Sequence, residues 1–500
     1  MYFPSQNEFI KLQAKGNLIP VYREILGDLE TPVSAYYKIA KASKYSFLLE
    51  SVEGEEKVAR YSFVAADPEL VFESKNASAK ILQRKDGKYS QKKYPISDSP
   101  FTFLRKIMSR YKPVNIDGLP RFYGGMVGYI GYDVVRFFER LPERTKDDLK
   151  LPDILLVLAK NSLIFDHLNH KIKVVSCVET NPKDSAQEKL RKYHQALKEI
   201  DRTIEKLKHP LAKMPSGKNH SNHFAVHSNL TKSRFKNIVT QAKKEITRGE
   251  IIQVVLSQRF EVAVKTDPLN IYRELRSLNP SPYMYFLNFD GIQIIGSSPE
   301  LLVRCEDGVV ETRPIAGTRR RGKDEKEDQA LSKDLLNDPK EKAEHIMLVD
   351  LGRNDLGRVC EQGSVKISEF MTIEKYSHVM HIVSNVKGKL KKGKDAFDIL
   401  EAAFPAGTVS GAPKIRAMEI IEGLESLKRG PYAGCIGYFS FNGNLDTCIT
   451  IRTIVVNKGK AYTQAGAGIV ADSKPAQEYK ETVNKAKAQI LAIKNAHGVN

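Results

Sequence analysis

The sequence contains no long apolar run and no paired cysteine motif. Nowhere in the 500 residues do apolar residues approach the roughly 18 in a row that a membrane-spanning helix needs, and the first residues lack the basic-then-apolar pattern of a signal peptide. The 5 cysteines are odd in number, widely spaced and free of any C-x-x-C pair. This spacing argues against a disulfide framework and against a zinc site. We therefore expect a cytoplasmic protein in a reducing compartment, without a membrane partner.

The net charge of +19 raises the possibility of a nucleic-acid partner. Arginines are dense at 313–322, in RPIAGTRRRG, but acidic residues follow them at once in the segment 319–329. The basic segment 387–394 is rich in glycine and contains no aromatic residue. A nucleic-acid-binding protein would cluster its basic residues with aromatics or on a docking helix. The pattern therefore favours solvated basic surfaces, and no nucleic-acid partner is expected.

The residue patterns change in character along the chain. Up to about residue 180, strand-like runs alternate with glycine turns, and the segment 155–179 is typical of two strands around a polar turn. The segment 186–208 has the apolar spacing of an amphipathic helix, capped by Ser185. A linker rich in Pro, Ser, Asn and His follows at 211–225 and separates predicted regions 1–210 and 226–495. Strands and helices mixed without a βαβ rhythm indicate an α+β fold.

The segment 337–355 predicts a helix that carries a carboxylate on its apolar face. Asp338, Pro339 and Glu341 provide a cap, a first-turn proline and an acid at the third position. Glu344 then shares one face with apolar residues such as Leu348. Because an unpaired buried carboxylate is costly, Glu344 should have an arginine, another cation or a metal as its partner.

The C-terminal segment 472–493 predicts a second helix with carboxylates in a row. Glu478, Glu481 and Lys485 lie three and four residues apart, which is also the spacing of a simple surface ion pair. The preceding turn Gly466-Ala467-Gly468 would expose backbone N–H groups that bind anions. Carboxylates without a Cys or His cluster favour Mg²⁺ over a transition metal.

A further glycine-rich turn opens a predicted helix within 404–421, with Ser410 as a candidate cap and Pro413 in its first turn. His378 and His381 follow the alternation of a strand, where a hydrogen-bonded histidine is the ordinary interpretation. Together these segments describe acidic residues on two helices, several anion-binding turns and basic residues nearby. A Mg²⁺ ion that bridges protein carboxylates to a substrate anion would suit them.

Six long motifs in order resemble the chorismate-utilising enzymes, and within them anthranilate synthase component I. They occupy 313–322, 343–359, 375–388, 404–421, 429–453 and 464–486, and the resemblance extends to LLES at 48–51 and RYSF at 60–63. It implies large, mainly antiparallel β-sheets in a sandwich-like core surrounded by helices. It also implies a lyase reaction in the tryptophan pathway, in which chorismate and ammonia give anthranilate and pyruvate.

The resemblance also implies site residues. Glu344 and Glu481, with Glu478 close by, would hold Mg²⁺. Chorismate would contact Gly317, Thr318, Tyr438, Arg452, Gly466, Ala467, Gly468 and Lys485. The residues with catalytic roles would be Glu300, His381, Gln253 and Thr318. Of these, Glu300 matches a general acid that protonates the departing hydroxyl, and His381 matches a histidine linked to pyruvate elimination.

A regulatory site and a partner are implied as well. Tryptophan would be held as a feedback inhibitor by Glu50, Ser51, Pro282, Tyr283 and Met284. None of the 5 cysteines lies in a G-x-C-x-G nucleophile turn, so ammonia would come from a separate glutaminase subunit, component II, in a heterotetramer, or from free ammonium.

Two groups of relatives remain as alternatives. Aminodeoxychorismate synthase component I usually carries lysine where this chain has Ala316, so Ala316 favours anthranilate as the product. Isochorismate and salicylate synthases use water and place a lysine at the position of Gln253. A neutral amide cannot activate water as a base, which favours ammonia as the nucleophile.

Overall fold

Two large antiparallel β-sheets form the framework of the protein. The computed structural model describes residues 1–40, 42–51, 60–211, 224–376 and 379–497. In these ranges the strands form a first sheet of 13 strands and a second sheet of 12. The first sheet runs in the order β1-β2-β11-β10-β4-β3-β14-β15-β24-β25-β13-β12, with β21 also paired to β13; the second runs β18-β20-β17-β16-β23-β22-β8-β9-β5-β6-β7, with β19 also paired to β20. In chain order the strands are β1 Tyr2–Phe3, β2 Leu18–Leu26, β3 Tyr45–Glu50, β4 Tyr61–Ala66, β5 Leu70–Lys75, β6 Ser78–Lys85, β7 Lys88–Pro95, β8 Gly125–Ile130, β9 Ile154–Ala159, β10 Asn161–Asp166, β11 Lys171–Glu179, β12 His227–Ser228, β13 Gln253–Ala263, β14 Tyr283–Phe289, β15 Ile292–Ser298, β16 Leu301–Glu306, β17 Val309–Thr312, β18 Ile315–Arg320, β19 Lys366–Lys375, β20 Val379–Lys389, β21 Gly411–Ala412, β22 Cys435–Ser440, β23 Leu445–Ile449, β24 Thr453–Asn457 and β25 Lys460–Ile469.

Helices cover the outer faces of the sheets. In chain order they are α1 Gln6–Leu12, α2 Pro32–Ala40, α3 Pro100–Met108, α4 Ala186–Lys208, α5 Lys232–Thr247, α6 Pro268–Leu278, α7 Glu325–Asn337, α8 Pro339–Gly357, α9 Ala396–Ala403, α10 Lys414–Leu424 and α11 Pro475–Ala496. Short 3-10 helices occupy Tyr132–Phe137 and Gly407–Val409. Within the described ranges, none of these helices combines the length and the apolar character needed to cross a membrane.

The main core lies between the two sheets. Side chains of the first sheet such as Phe47 and Tyr285 pack there against side chains of the second sheet such as Val127. A second apolar cluster lies on the opposite face of the first sheet, against α1, α2, α4, α6 and α11. Strand β14 shows how alternation builds both layers, because Tyr285 faces the core between the sheets while Phe286 packs under the helices. The expected α+β fold with a sandwich-like core is confirmed.

Local sequence signals explain where several helices begin. The hydroxyl of Ser185 accepts a hydrogen bond from the Glu188 backbone at 3.1 Å, so the predicted cap of α4 is confirmed. Asp338 caps α8 ahead of Pro339, also as predicted. The predicted cap at Ser410 is wrong. Its hydroxyl donates to the Ala406 carbonyl at 2.8 Å, and α10 begins only after Pro413.

The segment 155–179 differs from its prediction, because it forms three strands where two were expected. Strand β9 ends at Ala159 in the second sheet, and β10 begins at Asn161 in the first sheet. The chain therefore passes between the sheets at Lys160, whose ammonium lies 2.7 Å from Glu69 and 2.5 Å from Glu179. The continuous apolar pattern on either side conceals this crossing, since both strands are buried.

Both sheets combine strands from the two regions, 1–210 and 226–495, that the composition distinguishes. In the first sheet β3 pairs with β14, and in the second β8 pairs with β22. Most of the predicted linker at 211–225 lies outside the described residues, so the boundary stays a prediction. The two regions of sequence nevertheless share both sheets.

Candidate active site

A cavity of about 600 Å³ lies where the edges of the two sheets meet α8 and α11. Strands β13 and β25 of the first sheet form one wall, and β18 and β20 of the second sheet form the opposite wall. Most of the sequence-predicted site residues line this cavity: Gln253, Pro282, Glu300, Gly317, Thr318, Glu344, His381, Arg452, Gly466, Gly468, Glu478, Glu481 and Lys485. Ala316, on β18, lines the cavity as well.

The wall formed by β18 and β20 holds His381 in one tautomer. The imidazole Nδ1 lies 2.8 Å from the Gly317 carbonyl oxygen and 3.1 Å from the Thr318 hydroxyl. A carbonyl oxygen only accepts hydrogen bonds, so Nδ1 carries the proton and Nε2 is left unprotonated. Burial lowers the pKa of His381, although the Gly317 hydrogen bond opposes this shift. The neutral ring can therefore accept a proton.

Glu300 is a half-buried carboxylic acid that lines the cavity. The Thr408 hydroxyl donates a hydrogen bond to its Oε2 at 2.9 Å. Burial raises the pKa of Glu300, and this effect outweighs the opposing influence of Thr408, Lys485 and Arg452. A carboxyl group with a raised pKa retains its proton closer to neutral pH, as a general acid requires.

Arg452 places a half-buried cation near this acid. Its backbone is in the left-handed region, with φ of +51°, and its carbonyl accepts a hydrogen bond from the Ser297 N–H at 3.2 Å. Burial lowers the pKa of Arg452, while Glu300, Glu481 and Tyr432 stabilise its charged form. A largely desolvated guanidinium is a strong receptor for a carboxylate.

The cavity has two acidic sides, one on each helix. Glu341 and Glu344 project from α8, and Glu478 and Glu481 project from α11. The pKa of Glu341 is raised by burial and by Glu344, and that of Glu478 is raised by burial against the influence of Ser473 and nearby lysines. Lys485 neutralises part of the α11 side, because its ammonium lies 2.7 Å from Glu481 and donates to the Gly466 carbonyl at 3.2 Å.

These carboxylates suit a divalent cation. None of the ion pairs among the described residues involves Glu344, whose Oε1 accepts only a long hydrogen bond of 3.4 Å from the Gln253 amide. The amide oxygen of Gln253 is buried and has no hydrogen-bond partner. In the described ranges, no three acidic, His or Cys side chains are gathered closely enough to form a metal site by themselves. The α8 and α11 carboxylates would therefore have to approach each other around a shared ion.

Two residues assigned to chorismate by sequence do not line this cavity. Tyr438 lies between Phe63 and Phe122, and its hydroxyl accepts a hydrogen bond from Arg121 at 3.0 Å in a second, separate cavity. The tyrosine that lines the large cavity is Tyr432, six positions earlier in the same motif. Ala467 is fully buried in the apolar cluster under α5 and α10, because alternation along β25 points Gly466 and Gly468 to the cavity and Ala467 away from it.

The second cavity gathers all the residues assigned to tryptophan by sequence. Glu50, Ser51, Pro282, Tyr283 and Met284 line a space of about 50 Å³. The Ser51 hydroxyl is buried without a hydrogen-bond partner. This hydroxyl is therefore available to a ligand bound in the second cavity.

Sequence reasoning also missed several residues of the large cavity. Glu341 lies one helical turn before Glu344, and the i, i+3 spacing could have placed both carboxylates on one face. Lys340, Tyr376 and Gln464 also line the cavity. No periodic signal marks these three, because each reaches the cavity through the arrangement of separate elements.

Comparison with known proteins agrees with this architecture. The model of the family "chorismate binding enzyme" matches residues 44–491. Anthranilate synthase component 1 of Acetivibrio thermocellus is 50% identical over 99% of both chains, and that of Aquifex aeolicus is 49% identical over 98% of both. The crystal structure of anthranilate synthase component I from Streptococcus pneumoniae is 38% identical, with a TM-score of 0.75 over 93% of this chain and 99% of that one. The menaquinone-specific isochorismate synthase of Escherichia coli shares the fold at 20% identity, with a TM-score of 0.69 over 98% of both chains. The chain therefore belongs to the chorismate binding enzyme family, in its anthranilate synthase component 1 group.

Proposed function

We propose that this enzyme converts chorismate and ammonia to anthranilate and pyruvate, with Mg²⁺ as its cofactor. The observation that carries the proposal is one cavity that combines an acid with a raised pKa, Glu300, a neutral histidine, His381, and a half-buried cation, Arg452. The first chemical step needs an acid that donates a proton, and the second needs a base that accepts one. The cation would bind the anionic substrate.

Chorismate carries two carboxylates, and the cavity offers donors for them on separate walls. Arg452 provides a desolvated guanidinium, and the strands β18 and β25 provide backbone near Gly317, Gly466 and Gly468. Fixed donors of this type orient an anionic substrate without reorganising during the reaction. Tyr432 also lines the cavity, where it stabilises the charged form of Arg452, and it is the tyrosine we assign to substrate contact in place of Tyr438.

In the first step, the nitrogen of ammonia bonds to a ring carbon and the ring hydroxyl leaves. Glu300 supplies the proton that allows this hydroxyl to depart as water. The free amide oxygen of Gln253 can accept a hydrogen bond from ammonia, whereas it cannot deprotonate water. The ammonia-dependent reaction is therefore favoured over the water-dependent one.

In the second step, a ring proton is removed as the bond to the enolpyruvyl oxygen breaks. The ring becomes aromatic, and the enolpyruvate takes up a proton to become pyruvate. His381 is suited to accept the ring proton at Nε2, because Nδ1–H is held by the Gly317 carbonyl. Ala316 leaves the adjacent wall without an amine, which favours pyruvate loss over the aminodeoxychorismate outcome.

Mg²⁺ would be held by Glu344 and Glu481, with Glu341 and Glu478 beside them. When bound, it would withdraw electrons through the substrate carboxylate. Glu344→Gln and Glu481→Gln should each abolish turnover while leaving the melting temperature nearly unchanged. Near-normal activity in both variants would contradict this assignment.

We further propose an ammonia-supplying glutaminase subunit and feedback inhibition by tryptophan. The partner is supported by the name "component 1" of the relatives. The inhibitor site is supported by the second cavity, where Glu50, the unpartnered Ser51 hydroxyl and Met284 meet. Glu50 is already engaged by Arg276 at 3.0 Å and by the Tyr272 hydroxyl, so it is fixed in place before any ligand binds.

One assay tests the reaction itself. Purified protein with chorismate, Mg²⁺ and an ammonium salt should form fluorescent anthranilate and an equal amount of pyruvate, without a glutaminase. Glu300→Gln should lower kcat by about 10²–10⁴, the usual contribution of a general acid. An aminated product that accumulates without pyruvate would instead support an aminodeoxychorismate synthase, and isochorismate formed without ammonia would support a water-using enzyme.

A further inference from the structure

Arg319 does not line the cavity, yet it connects two elements that do, β18 and α8, to the neighbouring helix α7. It is on β18, next to Thr318 of the substrate wall. Its Nε donates to Asp334 of α7 at 2.7 Å, and its Nη2 donates to Asp338 at 2.9 Å. Its Nη1 donates to the Thr318 carbonyl at 3.1 Å and lies 3.8 Å from Glu341. A single guanidinium thus contacts β18, α7 and the first turn of α8.

The contact between Arg319 and Asp338 affects α8 directly, because Asp338 is the cap residue of that helix. One oxygen of Asp338 accepts the backbone N–H groups of Lys340 and Glu341 at 3.0 and 3.2 Å, which caps the helix. The other oxygen accepts the hydrogen bond from Arg319. The first turn of α8 is therefore tied to β18 by its own cap residue, and Glu344 follows one turn later on the cavity face.

The carboxylates themselves work against this arrangement. Glu341 and Glu344 face Glu478 and Glu481 across the cavity, and like charges repel. Lys340 of α8 and Lys485 of α11 offset part of this repulsion, since both favour the charged form of Glu478, and a divalent cation between the two sides would offset more. A contact that already holds the first turn of α8 in place would reduce the conformational ordering that a metal ion must bring about when it binds.

We propose that Arg319 is a positioning residue for the divalent cation, because it anchors the first turn of α8 to the substrate strand. This inference rests on the proposed Mg²⁺ dependence and extends it to a residue that touches neither the metal nor the substrate. A lysine cannot reproduce the role in full, since it presents a point charge and not a planar fork of donors.

The neighbouring Arg320 supplies a matched control. It is the next residue on the same strand, and its side chain is 60% exposed and pairs with Glu327 of α7, whereas Arg319 also holds the cap of α8. Arg319→Gln and Arg320→Gln remove the same charge one residue apart. A loss of net charge alone would affect both variants equally, whereas loss of the α8 anchor would affect only the first.

The test measures Mg²⁺ binding in two ways for wild type, Arg319→Gln, Arg319→Lys and Arg320→Gln. One readout is the Mg²⁺ concentration that gives half-maximal anthranilate formation at saturating chorismate and ammonium. The other is the rise in melting temperature produced by Mg²⁺ and chorismate without ammonium. We expect Arg319→Gln to need about tenfold more Mg²⁺, equivalent to about 1.4 kcal/mol, with kcat at saturating Mg²⁺ within about threefold of wild type. The Mg²⁺ concentration that Arg319→Lys needs should lie between those of wild type and Arg319→Gln. Arg320→Gln should need the same Mg²⁺ concentration as wild type.

Several results would overturn the inference. Equal Mg²⁺ requirements for Arg319→Gln and Arg320→Gln would remove the anchoring role, as would a loss of kcat that added Mg²⁺ cannot restore. If Arg319→Gln fails to fold, Arg319→Lys decides, because a wild-type Mg²⁺ requirement in that variant also contradicts the proposal. A wild-type enzyme that makes anthranilate without any Mg²⁺ would overturn the metal assignment itself, and the role of Arg319 with it.

Discussion

Gly317 offers a quantitative test of how β18 shapes the substrate wall. Its φ is +67°, in the left-handed region that non-glycine residues adopt at a cost of about 1–2 kcal/mol. A Cβ at this position would lie 2.9 Å from a methyl group of Leu335, which is fully buried, and 3.1 Å from a Glu341 oxygen. Overpacking of this type costs a further 1–3 kcal/mol, roughly. Gly317→Ala should therefore lower stability by about 2–5 kcal/mol in total.

Gly308 provides the matched comparison. Its φ is +80°, and a Cβ there would meet nothing within 4 Å, so Gly308→Ala bears the backbone cost alone. Thermal unfolding of both variants isolates the steric contribution at Gly317. Because the Gly317 carbonyl also fixes the His381 tautomer, Gly317→Ala should lower kcat at least tenfold, whereas Gly308→Ala should leave it unchanged. Equal melting temperatures and equal kcat values for the two variants would refute both parts of this reasoning.

Three further predictions follow from the two cavities. Glu300 is the proposed general acid and its pKa is raised, so kcat/KM should fall as pH increases through that raised pKa. Thr408→Val removes a hydrogen bond that favours the charged form and should move this decline to higher pH, whereas Thr408→Ser should not. Ala316→Lys should allow an aminated, non-aromatic product to accumulate, and chromatography that finds only anthranilate at the wild-type rate would disprove the role of this position. Ser51→Ala should raise the tryptophan concentration needed for half inhibition about tenfold, with little change in the uninhibited rate, because the substitution removes a buried hydroxyl that would bind the ligand. Unchanged inhibition would exclude the second cavity as the tryptophan site.

Sequence reasoning succeeded where the signal is local. Helix caps at Ser185 and Asp338 and the apolar spacing of α4 depend on neighbouring residues, and the structure confirms them. The crossing at Lys160 was missed because two buried strands in different sheets give the same apolar pattern as one long strand. The order of strands in each sheet could not be predicted at all, since it depends on pairings such as β3 with β14, more than 200 residues apart.

Two tyrosines of one motif show how far sequence alone can predict site residues. Tyr432 and Tyr438 both lie in the segment 429–453, and both are buried. Tyr438 belongs to β22 and faces the core between the sheets, whereas Tyr432 precedes that strand and reaches the large cavity. A motif therefore identifies which segment forms the site, but the direction of each side chain depends on where the strand begins, which sequence alone predicts poorly.

The arginines at 313–322 show that sequence alone also predicts ion-pair partners only in part. Arg313 pairs with Glu374, Arg320 with Glu327, and Arg321 with Asp328 at 2.6 Å. The acids at 319–329 neutralise Arg320 and Arg321, as the sequence pattern indicated, whereas Arg313 and Arg319 pair with acids outside that segment. The pattern offered no reason to separate Arg319 from its neighbours. Only the fold places α7 and α8 together behind that one guanidinium.

The segment between α6 and β14 connects the chemistry to the second cavity. Asn279 and Ser281 line the large cavity, Tyr283 and Met284 line the small one, and Pro282 belongs to both. A single buried residue, Ser297, holds this segment through hydrogen bonds with Asn279 and Ser281, the latter at 2.9 Å, and its backbone N–H also holds the Arg452 carbonyl. A tryptophan bound in the second cavity would contact the wall at 282–284, and Ser297 joins that wall to Arg452, the cation proposed to bind the substrate. Inhibition would then require no direct contact between inhibitor and substrate, because a tight ligand need only favour the wall position in which Arg452 is misplaced.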